Sequence, residues 1–125
     1  MAINRTSISI TLASGETSGD NTIAQVTGEL LNIVFDLPDN APAAAQYHIY
    51  QLSPQITLLQ VTGQQIADQD DGLFTPRKLA DTPEGYAVGE GGAPFPTTIP
   101  LAARLRMDIT GAVAGTYTAY IYYSS

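Results

Sequence analysis

The sequence predicts an all-β protein: an antiparallel β-sandwich, jelly-roll or immunoglobulin-like, with one long Pro/Gly-rich loop at about 76–98. Three observations predict it. Apolar residues recur with a period of two along most of the chain, the signature of strands with one buried face. Turn residues separate these runs at the roughly 8–12-residue spacing of sandwiches and barrels. No segment longer than a turn has helical period. Alternation assigns faces but not partners, so jelly-roll and immunoglobulin-like strand orders both stay open.

Ile8, Ile10 and Leu12 alternate with Ser7, Ser9 and Thr11, which makes a first strand. Ser14 to Asn21 is turn chemistry throughout. Thr22–Val26 reads as a short strand. Gly28 then opens a second one, Glu29–Leu37, with Leu31, Ile33, Phe35 and Leu37 on one face and Leu30 and Val34 on the other. Apolar residues on both faces mark it as central. Pro38 to Pro42 makes a loop, and Ala43-Ala44-Ala45 is long enough for one helical turn at most. Gln46–Leu52 and Gln55–Val61 are strands broken by Ser53-Pro54, and Gln64–Ala67 reads equally as helix or strand. Thr62-Gly63 and Asp70-Asp71-Gly72 are turns.

The irregular segment at about 76–98 holds four prolines and four glycines with Tyr86 and Phe95 in it, and Phe74 just before. A loop of about twenty residues is uncommon in a compact domain and is usually functional or disordered. Its aromatics predict order against a surface. Ile99, Leu101, Ala103, Leu105, Met107 and Ile109 then share one face. Gly111–Gly115 turns the chain, and Tyr117, Ala119, Ile121 and Tyr123 share the next. These last two strands read as an antiparallel hairpin.

The chain has 125 residues, within the range of one domain, and residues 1–125 are read as a single sandwich. It contains no cysteine, which excludes disulfides and thiolate metal sites. Only 14% of residues are charged, against about 25% in an average domain. The net charge of −7 opposes nucleic acid and anionic membranes as partners. Met1–Ser14 has no continuous apolar stretch of a secretory signal, and no run is long enough for a transmembrane helix, so synthesis in a cytoplasm is expected.

Catalytic and cofactor patterns are weak. His48 is the single histidine, on an alternating strand, with no nucleophile elbow in the chain; it reads as a strand histidine. Asp68, Asp70 and Asp71 before Gly72 have part of the spacing of a calcium loop, but the glycine arrives early and no distal Glu follows. A solvated acidic turn explains them. Gly89-Glu90-Gly91-Gly92 is followed by Pro94-Phe95-Pro96, which cannot start the helix of a phosphate cradle. No catalytic residue, metal or cofactor is expected. Asn4-Arg5-Thr6 matches the glycosylation sequon by chance.

Two sets of residues point to interfaces. Arginine is enriched where proteins meet, which singles out Arg77, Arg104 and Arg106; the plainer reading of the last two is cross-strand ion pairing. Tyr120 and Tyr122 lie on the outward face of the last strand, where tyrosines suit protein contacts or sugar stacking. Phe74, Tyr86 and Phe95 join them as interface candidates on or near the long loop.

The layout resembles the small all-β virion proteins of tailed bacteriophages. The likeness rests on the Ser/Thr-rich first strand, the run from Thr27-Gly28 to Leu37-Pro38, Pro76-Arg77 in the irregular segment, and Ile99-Pro100-Leu101 continuing through Leu105-Arg106-Met107-Asp108-Ile109 to Tyr117–Tyr123. The resemblance implies a head decoration or cement protein on the capsid surface, a homo-oligomer (dimer or trimer) whose partner is the major capsid protein or other virion proteins. Neck, tail or fibre association is the alternative within the virion, and a lectin-like binding module the alternative outside it.

Overall fold

The computed structural model describes residues 2–69, 72–79 and 96–125. The chain forms β1 (Ile3–Leu12), β2 (Gly19–Asp36), β3 (Gln46–Gln51), β4 (Ile56–Thr62), α1 (Gly63–Ala67), β5 (Leu73–Phe74), β6 (Lys78–Leu79), β7 (Pro96–Thr97), β8 (Ile99–Thr110) and β9 (Gly115–Ser124). It is all-β and antiparallel, as the period of two predicts. Seven strands make one sheet in the order β1-β9-β2-β8-β3-β4, with β5 added beside β2. The sheet is not closed into a barrel. No helix among the described residues is long and apolar enough to cross a membrane.

β2 organises the sheet. Its first part, Gly19–Leu30, pairs with β8, and its last part, Glu29–Asp36, pairs with β9. One half of the sheet is therefore β1-β9-β2-β5 and the other is β2-β8-β3-β4. Both halves turn their apolar faces into a single core. Tyr47 of β3 lies 5.6 Å from the ring of Phe35 on β2 and 6.1 Å from that of Tyr117 on β9. These contacts join the two halves face to face, the packing of a sandwich.

The hand-over of β2 explains where the sequence reading departs from the structure. Thr22–Val26 and Glu29–Leu37 are not separate strands, because the chain runs straight through Gly28. Gly28 has φ +146°, and a Cβ there would collide with the backbone carbonyl oxygen of Ser124. The glycine is needed because β9 passes against it, not because the strand begins there. A register shift between Leu30 and Asn32 then changes the phase of the alternation. Leu30 and Ile33 are both fully buried, while Leu31 is only half-buried. A β-bulge adds one residue to one strand and reverses which residues point inward beyond it.

β8 and β9 do not form the expected hairpin, since β2 lies between them. Gly111–Gly115 instead carries the chain from one half of the sheet to the other. Ala112 N–H donates to Thr17 O at 2.9 Å, and the Tyr117 hydroxyl donates to Val113 O at 2.8 Å while accepting from Val113 N–H at 3.2 Å. These bonds satisfy the connection's backbone at the core's end. The inward faces are those expected: Leu101, Leu105, Met107 and Ile109 of β8, and Tyr117, Ala119 and Ile121 of β9, are buried.

Gln64–Ala67 falls within α1. Thr62 caps it: its hydroxyl accepts from Gln65 N–H, and the Gln65 side chain accepts from Thr62 N–H. This reciprocal pair is a capping box. In the long segment, β6 and β7 pair with each other, so residues 78–79 and 96–97 close its base. Tyr86, Phe95, Asp70 and Asp71 lie outside the described residues.

Candidate interaction surfaces

The outer face of β1-β9-β2-β5 is set by direct cross-strand pairing. Ser7, Tyr120, Val34 and Leu73 form one row across four strands. Arg5, Tyr122 and Asn32 form the next, and Ser9, Thr118 and Asp36 the one on the other side. Ile3, 68% exposed, begins the face, and Leu73, 41% exposed, ends it. The formal charges in these rows are Arg5 and Asp36, with Glu29 at a corner beside Ser124. Hydroxyl ladders stiffen the remainder: Ser9 to Thr118 at 3.0 Å and Thr11 to Thr116 at 3.1 Å. Arg5 lies over the Tyr120 ring, 5.1 Å from its centre, a cation–π contact that orders both side chains. The result is a polar-aromatic surface whose central row, Ser7, Tyr120, Val34 and Leu73, carries no formal charge, held by short local contacts.

The outer face of the other half is different. Asp20 and Asp108 stand directly opposite each other on β2 and β8. Like charges so placed repel. Arg106 offsets this by bonding both, at 3.2 Å to Asp20 and 2.8 Å to Asp108. The second Asp108 oxygen accepts from the Tyr50 hydroxyl at 2.8 Å. Burial, with help from that carboxylate, holds the Tyr50 hydroxyl above the ordinary tyrosine range. His48 stacks on Tyr50 with ring centres 4.5 Å apart, and its Nε2 meets the Thr57 hydroxyl at 2.8 Å. These six side chains are linked to one another by hydrogen bonds, ion pairs and one ring contact. The arrangement fits the cross-strand reading of Arg106 and the strand reading of His48.

The remaining candidates divide. Arg77 donates to Leu31 O at 2.9 Å and to Pro76 O at 2.7 Å, so it serves a carbonyl in the β2 bulge. Phe74 packs edge-on against Phe35 at 5.8 Å and belongs to the rim of the core. Arg104 is exposed opposite Gln25 and makes no ion pair among the described residues. Tyr120 and Tyr122 are half-buried on the first outer face, as their alternation requires. Asp68 accepts from Gln64 at 2.9 Å, and the described residues hold no group of three metal-ligating side chains.

Two features escaped the sequence reading. Gln51 is buried, and its amide donates to Pro100 O at 3.0 Å and accepts from Ala102 N–H at 3.1 Å. It replaces the ladder bonds that the end of β3 no longer supplies. Tyr47 is fully buried with no hydrogen-bond partner for its hydroxyl among the described residues, and burial pushes its pKa up to about 12. An open cleft of about 420 Å³ lies at the Phe35 end of the core, with Ile66 and Gly72 in its wall and Asp36 and Asp39 beside them.

The fold and these surfaces define an all-β antiparallel domain with one outer face that has an uncharged aromatic-aliphatic centre and one hydrogen-bonded polar face. No protein family and no curated protein matches the chain. The solved structure of FlhE is similar over 100% of both chains, at 12% identity and a TM-score of 0.46, too distant to carry an argument.

Proposed function

We propose that the chain is a structural, non-enzymatic virion protein of a tailed bacteriophage: a capsid decoration protein that binds the major capsid protein shell as a homo-oligomer. The observation that carries this reading is the outer face of β1-β9-β2-β5, where Tyr120, Val34 and Leu73 form an uncharged central row with Tyr122 beside it and Ile3 at the end, and the charges Arg5, Asp36 and Glu29 lie around it. Interface cores are depleted of charge and enriched in tyrosine. An acidic chain can approach another protein through such a face without burying unpaired carboxylates. The resemblance of its layout to small all-β virion proteins is what suggests the partner. The lectin-like alternative is less well supported, because Arg5 occupies one face of the Tyr120 ring that a sugar would stack on.

The face is tested by Ser7→Glu. Ser7 is exposed opposite Tyr120, so stability should change by no more than about 0.5 kcal/mol. Attachment to capsids that lack the protein should weaken roughly tenfold or more, since a buried unpaired charge is costly at an interface. Co-sedimentation reads this directly. Wild-type protein that stays in the supernatant, or a variant that sediments as well as wild type, would remove this face from the account.

A further inference from the structure

We propose that the outer edge of β4 is a self-pairing strand, through which two copies of this chain join their sheets antiparallel about a twofold axis. This goes beyond the virion reading and does not depend on it.

The two ends of the strand order are unlike. At the β1 end, Asn21 Nδ2 donates to Ser9 O at 2.9 Å, so β2 already closes part of that edge, and Arg5 stands on it. At the β4 end, the strand is paired to β3 on one side, and no described backbone group bonds it on the other. Natural edge strands are usually blunted by lysine, proline, inward-pointing charge or a β-bulge. Within Ile56–Thr62 there is no lysine, proline or charge, and the one bulge, at Leu58, leaves Leu59–Thr62 regular. From Asn40 to Ala67 the chain carries no Asp, Glu, Lys or Arg at all, although the net charge is −7. Two copies of an acidic chain repel wherever their carboxylates face each other. Here they meet with nothing to repel, and this argues for a second copy as the occupant.

Two further observations fit. Ile56 is 48% exposed at the start of β4, beside an open groove lined by Leu52, Pro54, Ile56 and Pro100. The β3–β4 register shifts by one residue, making Leu58 the extra residue, so regular pairing is confined to the stretch beyond it. A twofold axis perpendicular to the sheet sets each residue opposite one of the same face in the copy. The proposal sets the axis at Gln60, exposed and opposite His48, so that Gln60 faces its own copy and Leu59 pairs with Val61 across the axis.

Light scattering on the purified chain, with cysteine cross-linking, tests this. The chain has no cysteine of its own, so a single introduced one is read without background. Wild type should have twice the 13.2 kDa chain mass. Gln60→Lys and Gln60→Glu should both run as folded monomers, because each sets like charges opposite each other. Gln60→Cys should cross-link to its copy through a short thiol-reactive linker, whereas Ser7→Cys, on the other half of the sheet, should not. A monomeric wild type overturns the proposal. So does a dimer that survives Gln60→Lys, or a larger ring in which Gln60→Cys links only to a cysteine on β1. Ser7→Glu, which tests the capsid-facing surface, should leave the dimer intact, so the two readings fail separately.

Discussion

Gly28→Ala is expected to lower stability by roughly 3–5 kcal/mol. Two costs add. The backbone at φ +146° is one that L side chains rarely adopt, and such conformations cost about 1–3 kcal/mol. The new methyl also meets the Ser124 carbonyl, a backbone group held in the β1-β9-β2 ladders. It cannot rotate away as a side chain would, and overpacking of this kind costs about 1–3 kcal/mol more. Gly15→Ala separates the two. Gly15 also has positive φ, +89°, but nothing lies within 4 Å of its Cβ position. It should lose only about 1–2 kcal/mol. Urea unfolding of the two variants beside wild type measures both. Equal losses would mean that β9 does not press on Gly28, and the hand-over of β2 between the two halves would be misplaced.

Tyr117→Ala should cost about 3–5 kcal/mol, as truncation of a large buried aromatic does. Tyr117 is fully buried, packs on Tyr47, and holds both backbone groups of Val113. Tyr117→Phe keeps the ring and removes the hydroxyl. It should cost about 1–3 kcal/mol, the range for leaving buried backbone groups unsatisfied. Against a typical total of about 5–15 kcal/mol, the alanine variant is expected to be marginal, so the phenylalanine variant carries the test of the Gly111–Gly115 connection. Its denaturation midpoint should fall, with amide exchange at Val113 accelerated. An unchanged midpoint would argue that the connection is held by other bonds.

Much of the fold is legible in the alternation. The inward faces of β1, β8 and β9 follow directly from Ile8, Ile10 and Leu12, from Leu101 to Ile109, and from Tyr117, Ala119 and Ile121. Partner choice is not, because a strand with one apolar face packs equally well beside any other. That is why β8 and β9 read as a hairpin although β2 separates them. The bulge at Leu30–Asn32 is hidden for a related reason: its inserted residue is apolar, like its neighbours, and leaves no break in the pattern. The capping box was within reach, since Thr62 and Gln65 have its spacing; only the shortness of the apolar run after it masked α1.

The surfaces were legible to a lesser degree. The outward placement of Tyr120 and Tyr122 follows from period two alone. Arg77 could be picked out by type but not by role, and Arg106 by type and by cross-strand pairing but not by partner. Their partners, Asp20 and Asp108 in one case and the Leu31 carbonyl in the other, come from strands distant in sequence. The low charge content has a clearer meaning with the fold in hand. Arg106, Asp20 and Asp108 pair on the outer face of β2-β8-β3-β4, while the central row of the β1-β9-β2-β5 face and the edge of β4 carry no charge.

The composition of purified phage particles tests the central claim most directly. Particles purified from cells that produce this chain, quantified by mass spectrometry, should contain it in many copies, in fixed proportion to the major capsid protein. Its absence from the particles would contradict a structural role in the virion, and a copy number matching the portal or tail would contradict capsid decoration.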